Sequence, residues 1–237
     1  MIDLPSPNYN SRQGQKPQYI ILHYTGMTNA KQALDRLTDP ASQVSAHYTV
    51  DERGEIYCHV SEEDRAWHAG QSFWRGVTGL NAHSIGIEIV NPGHEFGYRP
   101  FPDIQISAVI DLCRDIMPRY DIDPEDVLGH SDIAPARKQD PGELFPWERL
   151  AREGVAVWPD VADEDTVLSM GMNIPRALCD YGYDPRVKYA ERLMAFQRRF
   201  VPEIFTPGYT PGTETSLTRA RLYALLAGHL TSPQGTW

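Results

Sequence analysis

Tyr19-Ile20-Ile21-Leu22-His23 is an apolar, β-prone run that ends on a histidine. It predicts a strand buried on both faces of a sheet. A second run, Ser84-Ile85-Gly86-Ile87-Glu88-Ile89, is stopped by Asn91-Pro92-Gly93 and predicts another buried strand. A third short strand, 127–129, precedes His130. Strands with helical segments between them predict an α/β fold with a mixed central β-sheet flanked by helices.

Other local patterns supply the helices and turns of the same domain. Apolar residues recur with helical spacing between 104 and 120, and Asn29 is an N-cap candidate before a short helical segment. Two alternating runs on either side of Asp51-Glu52-Arg53-Gly54 predict a β-hairpin. The predicted helices span 29–37, 104–120 and 143–153, and the hairpin spans 46–60.

Three potential metal ligands follow from these elements. His23 and His130 each follow an apolar strand, and Asp140 precedes a Pro-Gly turn that can fix the direction of its carboxylate. Two imidazoles and one carboxylate form the three-ligand set of a catalytic zinc site, which leaves the fourth position open. Each residue alone has an ordinary structural interpretation, as a strand-end histidine or a turn-capping aspartate. Together they predict a catalytic metal site.

Glu88 is the candidate general base for such a site. It lies inside the apolar stretch 85–90, where a charge is costly unless it is used or paired. A glutamate there can take a proton from an attacking water molecule and pass it to the leaving nitrogen. The alternative is a strand-end glutamate in a surface salt bridge. The residues themselves therefore predict metal-assisted hydrolysis of an amide.

The segments that carry these residues resemble the zinc-dependent N-acetylmuramoyl-L-alanine amidases of the type 2 amidase family, relatives of the peptidoglycan recognition proteins. The resemblance covers roughly residues 15–150. Besides the segments around His23 and Glu88, it includes Arg65-Ala66-Trp67-His68-Ala69-Gly70, Asn81, and the run from Gly129-His130-Ser131-Asp132 to Lys138-Gln139-Asp140-Pro141-Gly142. Several separated motifs in the family's order make the match specific.

This resemblance implies the fold, the metal and the bond that is cleaved. The implied fold is the amidase/peptidoglycan-recognition fold, with one zinc ion per chain bound by His23, His130 and Asp140. The implied reaction is hydrolysis of the amide between N-acetylmuramic acid and L-alanine. The substrate would be peptidoglycan or muropeptides, and 1,6-anhydro forms are among the candidates.

The resemblance also directs attention to residues near the metal. Lys138 corresponds to the lysine with which the family stabilises the oxyanion; its alternative is a solvated loop lysine. Trp67 and His68 are candidates for one wall of a substrate groove, or else a core tryptophan with a satisfied imidazole. Asn81 is a candidate substrate contact. His47 is expected to be a structural histidine or to orient a metal ligand, and the sequence places the histidines at 59, 83, 94 and 229 at the surface.

A second unit follows an acidic break at 160–165. Helix candidates at 173–181, 187–200 and 216–230 predict a small three-helix domain. Within the middle candidate, Ala195-Phe196-Gln197-Arg198-Arg199-Phe200 resembles the core helix of the peptidoglycan-binding domain, although the Pro/Gly-rich loop 206–212 departs from that family's tight acidic turn. The chain is predicted to comprise a zinc amidase catalytic domain, 1–158, and a separable peptidoglycan-binding-like helical domain, 159–237.

Composition sets the remaining limits. A net charge of −10 at pH 7 without a basic stripe argues against nucleic acid, so the expected partner is peptidoglycan or a muropeptide. No apolar run reaches the ~20 residues of a transmembrane helix, and the N-terminus shows no secretory signal. The expected location is cytoplasmic, or periplasmic or cell envelope if the N-terminus was trimmed. The three cysteines are expected to be free thiols.

Two rival functions remain open at this point. A non-catalytic peptidoglycan sensor on the same fold would typically lack part of the zinc set, whereas all three ligand positions are filled here. A zinc peptidase of another family would carry a His-Glu-x-x-His helix, which this sequence lacks. The sequence favours the amidase and leaves the oligomeric state open.

Overall fold

A computed structural model describes residues 1–233 of the chain. In this range the strands are β1 Ile2–Asp3, β2 Tyr9–Ser11, β3 Tyr19–Tyr24, β4 Tyr48–Val50, β5 Ile56–Cys58, β6 Asp64–Ala66, β7 Phe73–Trp74, β8 Val77–Thr78, β9 Ser84–Ile89 and β10 Val127–Gly129. The helices are α1 Ala30–Thr38, α2 Gly93–Phe96, α3 Asp103–Tyr120, α4 His130–Ile133, α5 Trp147–Arg152, α6 Asp163–Leu168, α7 Ile174–Tyr181, α8 Tyr189–Phe200 and α9 Ser216–Ala227. Short 3-10 segments lie at Pro40–Ser42, Leu80–Ala82, Pro124–Asp126, Ser169–Gly171 and Pro202–Phe205.

The central sheet is mixed, as the sequence predicts. Its six strands lie in the order β1-β5-β4-β9-β3-β10. β4, β9, β3 and β10 run parallel to one another, whereas β5 is antiparallel to β4 in the predicted hairpin. The middle of β3, Ile20 to Leu22, is fully buried because other elements cover both faces of the sheet. The carboxyl ends of β3, β9 and β10 therefore meet at one edge of the sheet.

Most predicted elements are confirmed, with shifted ends. The side chain of Asn29 accepts a hydrogen bond from the backbone N–H of Gln32 at 3.0 Å and caps α1 as expected. The helix predicted over 143–153 is confined to α5, because Phe145 precedes Pro146 and that position disfavours helical backbone. The helix predicted over 216–230 ends at 227, where Gly228 adopts a left-handed conformation.

The acidic break predicted at 160–165 is wrong in its second half, because α6 begins at Asp163. Asp165 is fully buried. Its carboxylate accepts the backbone N–H of Ala162 at 2.9 Å and contacts Nδ1 of His229 at 3.0 Å. An acidic run that looks solvated in the sequence is thus a helix start, stabilised by a residue 64 positions away.

The C-terminal helices share one apolar core with the sheet. The rings of Tyr181 and Tyr183 lie 5.7 and 5.2 Å from the ring of Trp74, which is fully buried. The predicted helices are present as α7, α8 and α9, preceded by the additional α6. The division between 158 and 159 stays a prediction. The last residues of the predicted second domain, 234–237, lie outside the described part.

Two further expectations concern membranes and thiols. Across residues 1–233, each helix is too short or too polar to traverse a bilayer. Cys58, Cys113 and Cys179 are free thiols, as expected, and Cys113 is buried.

Candidate metal centre

Three buried side chains from distant parts of the chain meet at the carboxyl end of β3. His23 is the penultimate residue of that strand, His130 begins α4, and Asp140 lies in the loop after α4. The Nδ1 atoms of the two histidines lie 2.9 Å apart, and each lies 3.0 Å from Oδ2 of Asp140. The structure therefore brings together the three residues predicted to bind the metal, with one ligand atom from each at a common point.

The protonation states of this cluster suit a divalent cation. Burial, followed by the neighbouring His130, lowers the pKa of His23 to about 4, so its imidazole is neutral at pH 7. Burial alone would raise the pKa of Asp140, but the two adjacent imidazoles, His130 first, hold that pKa well below its ordinary value. Neutral imidazoles and ionised carboxylates are the forms that bind divalent metals.

The outer ring nitrogens determine which atoms the imidazoles present to the cluster. Nε2 of His130 lies 3.2 Å from the carbonyl oxygen of Ala69, which can only accept, so Nε2 carries the proton. Nε2 of His23 lies 3.0 Å from Nδ1 of His68. With both protons on Nε2, two Nδ1 lone pairs face the carboxylate of Asp140. These groups repel one another unless a cation lies between them, and outer-nitrogen partners of this kind are typical behind metal-bound histidines.

His68 is itself held by a chain of acceptors. Its Nε2 lies 3.4 Å from Oγ of Ser84, which donates to the carbonyl oxygen of Leu80 at 2.6 Å. This chain leaves Nδ1 of His68 free to accept from His23. Burial is the first cause of a pKa of His68 far below its ordinary value, which keeps the ring neutral. His68 therefore orients His23, the first candidate ligand, and also lines the cavity described below.

Asn81 holds the backbone of the loop that contains His68 and Ala69. Its Oδ1 accepts the backbone N–H groups of His68 and Ala69 at 3.1 and 2.6 Å. The side chain is buried, with 6% of Asn81 exposed, and it does not line the cavity of the metal cluster. The structure places this predicted substrate contact behind the loop, where it fixes the partners of both histidine ligands.

Gly86 provides the space that the ring of His68 occupies. A Cβ atom at position 86 would lie 2.4 Å from Cγ of His68, a distance that real contacts do not show. On its backbone side, the N–H of Gly86 donates to Nδ1 of His47 at 2.9 Å. The His47 ring lies 5.7 Å from the His68 ring, so His47 adjoins the residue that contacts His23. Its predicted role as an orienting histidine stays a prediction.

The loop that carries Asp140 is anchored at three points. The backbone N–H of Ser131 donates to the carbonyl oxygen of Asp140 at 2.9 Å, which links the loop to the residue after His130. The hydroxyl of Tyr98 donates to the carbonyl oxygen of Pro141 at 2.8 Å. Gly142 has a φ of +92° and lies so close to Tyr98 that a Cβ would meet its hydroxyl. These contacts fix the direction of the Asp140 carboxylate.

Glu88 and Lys138 line the same cavity as His130 and Asp140, and its volume is about 420 Å³. Oε2 of Glu88 is buried and has no hydrogen-bond partner within the described residues. Burial, and then the charge of Asp140, raises the pKa of Glu88 well above its ordinary value. A carboxylate with one buried, unpaired oxygen beside a candidate metal site has the properties of a proton acceptor.

Trp67 is half-buried at the rim of this cavity. Its Nε1–H donates to Oδ1 of Asn10 at 3.1 Å, which fixes the indole while one part of the ring faces the cavity. This position is compatible with the predicted wall of a substrate groove. The wall and a substrate contact by His68 stay predictions.

Sequence reasoning missed Tyr24, which also lines the cavity. Its hydroxyl donates to Nδ1 of His94 at 2.9 Å, and Nε2 of His94 contacts Glu143 at 3.1 Å. The His94 side chain is 25% exposed, so it stays partly at the surface. The surface position predicted for His59 is wrong, because this residue is buried, with 4% exposed, and contacts the carbonyl oxygen of Leu4. The sequence signal that could have identified Tyr24 as a cavity residue is its position directly after His23.

Comparisons with known proteins show which family the chain resembles. The family model described as N-acetylmuramoyl-L-alanine amidase matches residues 13–143. The N-acetylmuramoyl-L-alanine amidase AmiD of Escherichia coli K12 is 38% identical over 232 residues, which cover 87% of this chain and 81% of AmiD.

Two solved complexes resemble the whole chain. The complex of E. coli AmiD with the substrate anhydro-N-acetylmuramic acid-L-Ala-D-gamma-Glu-L-Lys superposes with a TM-score of 0.77 at 38% identity, over 92% of each chain. AmpDh3 from Pseudomonas aeruginosa in complex with anhydromuramic pentapeptide superposes with a TM-score of 0.79 at 34% identity, over 95% of this chain and 96% of that one. These similarities confirm the predicted fold class.

Proposed function

Because this chain belongs to the N-acetylmuramoyl-L-alanine amidase family, we propose that its metal centre is one zinc ion bound by His23, His130 and Asp140. The chain is an enzyme that hydrolyses the amide bond between N-acetylmuramic acid and L-alanine. Zinc dependence is a general feature of the family. The observation that carries the assignment is the convergence of two Nδ1 lone pairs and one carboxylate whose outer partners are already in place.

Zinc at such a site lowers the pKa of a water molecule and polarises the amide carbonyl. The protein then has to move protons and stabilise charge. Glu88 is unpaired and reaches the same cavity, so it takes the proton of the attacking water and returns it to the leaving nitrogen. Lys138 lines the same cavity, and its ammonium stabilises the oxyanion of the tetrahedral intermediate.

The substrate class follows from the two related complexes. Both hold an anhydromuramic acid attached to a short peptide. We therefore propose that this chain cleaves 1,6-anhydro muropeptides among its substrates, with Trp67 and His68 contacting the sugar or the peptide. Mass spectrometry of products from defined muropeptides, with and without the anhydro end, tests this preference. Equal rates on both forms would contradict a preference for the anhydro sugar.

Metal analysis tests the centre itself. The protein prepared without chelator should contain about one zinc per chain, and chelation should abolish cleavage. Activity that survives complete metal removal would refute the mechanism. The rival function, a non-catalytic peptidoglycan-binding protein, is disfavoured because the candidate ligand set is complete and because Glu88 and Lys138 line the cavity that His130 and Asp140 also line.

Two further statements made from the sequence stay predictions. The peptidoglycan-binding role of residues 159–237 is tested by sedimentation of the protein with insoluble peptidoglycan. The cytoplasmic location is tested by fractionation of cells that produce the protein from its native gene.

A further inference from the structure

Arg199 joins α8 to the part of the chain that supplies a metal ligand. Its Nη1 donates to Oδ2 of Asp132 at 2.7 Å, and its Nη2 donates to the carbonyl oxygen of Val127 at 3.0 Å. The side chains of Arg199 and Asp132 are each 1% exposed. The guanidinium also lies 4.1 Å from the centre of the Trp147 ring. Arg199 is thus held by a carboxylate, a carbonyl and an aromatic ring at the end of β10.

Asp132 in turn determines where α4 begins. Its Oδ2 accepts the backbone N–H of Gly129 at 2.8 Å, and its Oδ1 accepts the hydroxyl of Tyr183 at 2.9 Å. Gly129 precedes His130, so the carboxylate spans the turn from which the second histidine ligand projects. The side chain is satisfied on one oxygen by the turn and by Arg199, and on the other by Tyr183. Two of its three partners come from the C-terminal segment.

The neighbouring Arg198 contacts the other end of the ligand segment. Its Nε donates to Oε2 of Glu143 at 3.1 Å, and its Nη2 donates to Oε1 of Gln139 at 3.3 Å. Gln139 and Glu143 lie on either side of the third ligand, Asp140. Two consecutive arginines of one helix therefore contact the ligand segment 130–143 near its beginning and near its end.

We propose that Arg199 is a positioning residue of the metal centre, which acts through Asp132 on His130, with Arg198 as a second anchor near Asp140. A guanidinium that donates to two fixed acceptors transmits direction as well as charge. The helical segment thereby becomes part of the catalytic unit, in addition to any role in wall binding. The inference rests on the zinc assignment made above.

The test compares full-length variants with a matched control. Arg199→Met and Asp132→Asn remove the two sides of the pair, and the double variant tests whether they act as one unit. Arg221→Met is the control, because Arg221 also contacts a carboxylate, a carbonyl and a ring, namely Glu203, Phe200 and Trp158, all away from the ligand segment. Zinc affinity is measured by competition with a chelator, and the cobalt-substituted proteins are compared by absorption spectroscopy. All measurements are made where circular dichroism shows a folded protein.

We expect Arg199→Met and Asp132→Asn each to lower metal affinity by roughly 10- to 100-fold and to shift the cobalt spectrum. The double variant should bind the metal no more weakly than the single variant with the lower metal affinity. Arg221→Met should leave affinity and spectrum unchanged. If the methionine variant does not fold, Arg199→Lys replaces it, because lysine keeps the charge. Arg199→Lys should lower metal affinity less and still shift the cobalt spectrum.

The zinc assignment and the positioning role of Arg199 are overturned by different outcomes. If the wild type binds no metal, the zinc assignment fails. If the wild type binds zinc, and the Arg199 variants unfold at lower temperature yet keep wild-type affinity and cobalt spectrum, the pair is only a structural salt bridge and the positioning role is refuted.

Discussion

His23 and Glu88 are register partners on the adjacent parallel strands β3 and β9. Because register partners project from the same face of a sheet, a candidate metal ligand and an unpaired carboxylate leave that face side by side. Glu88 reaches the cavity that His130 and Asp140 also line. The sheet register therefore determines the spacing between the candidate metal and the candidate base.

The first prediction concerns proton transfer. Glu88→Gln should retain zinc and the fold but lose roughly two to four orders of magnitude in turnover, because the amide cannot accept the proton. Glu95→Gln is the control, since Glu95 lines the same cavity at an exposed position. Steady-state kinetics and metal analysis check both variants. Wild-type turnover in Glu88→Gln would remove Glu88 from the mechanism, and loss of zinc would make it a ligand or a folding residue.

The Glu88 side chain should also lower the free energy of unfolding of the metal-free protein. Its pKa in the folded state is raised well above the ordinary 4.5, so the folded state holds this proton more tightly than the unfolded state. Its destabilising effect is absent below about pH 4.5 and grows as the pH rises towards the folded-state pKa. The free energy of unfolding of the wild type should therefore fall relative to that of Glu88→Gln over this range. Urea denaturation of both metal-free proteins measures it, and a pH-independent difference would contradict the buried carboxylate.

Lys138 should act mainly in the transition state, where the carbonyl oxygen carries more negative charge than in the bound substrate. Lys138→Met should keep zinc affinity and lower turnover by roughly ten- to a thousandfold. Lys138→Arg should not restore it fully, because a planar guanidinium cannot place its charge at the same point. Lys31→Met, on an exposed helix face, is the control. A raised KM with unchanged kcat would instead assign Lys138 to uniform substrate binding.

Gly86→Ala should displace the ring of His68, because the added methyl would lie 2.4 Å from it. His23 would then lose the acceptor of its outer nitrogen. We expect zinc affinity to fall by roughly 10- to 100-fold. Gly171→Ala is the matched control, since nothing lies within 4 Å of a Cβ there. Unchanged zinc affinity in Gly86→Ala would show that the contact between His68 and His23 does not support the metal.

The sequence predicts that a chain ending at Trp158 folds alone, and the packing across that point leads us to expect otherwise. Truncation removes Arg199 and Tyr183 from the buried carboxylate of Asp132 and uncovers Trp74. Loss of one partner of a buried ion pair alone costs about 3–5 kcal/mol. We expect the truncated chain to show weak zinc binding and no cooperative thermal transition in calorimetry. Full activity on soluble muropeptides would instead support two separable domains.

The parts of the site that could be predicted depend on local patterns. The apolar run before His23 and the helical spacing between 104 and 120 express periodicities that need no knowledge of distant residues. Asn29 could be identified as a cap because a capping bond spans only three residues. The additional helix α6 was missed because its stability includes a contact between Asp165 and His229, which no local pattern contains.

The sequence by itself determined the strands β3, β4, β5, β9 and β10 of the central sheet, the principal helices and the chemical identities of the three metal-ligand candidates, since side-chain chemistry and hydrophobic period are local properties. Only the tertiary structure decided which groups face which. The acceptors behind His23 and His130 and the pairing of Arg199 with Asp132 join residues 45 to 67 positions apart. The space at Gly86 is occupied by the ring of His68, from another element of the chain. Such contacts arise when the sheet register and the packing of α8 bring distant segments together, so their partners cannot be inferred from spacing along the chain.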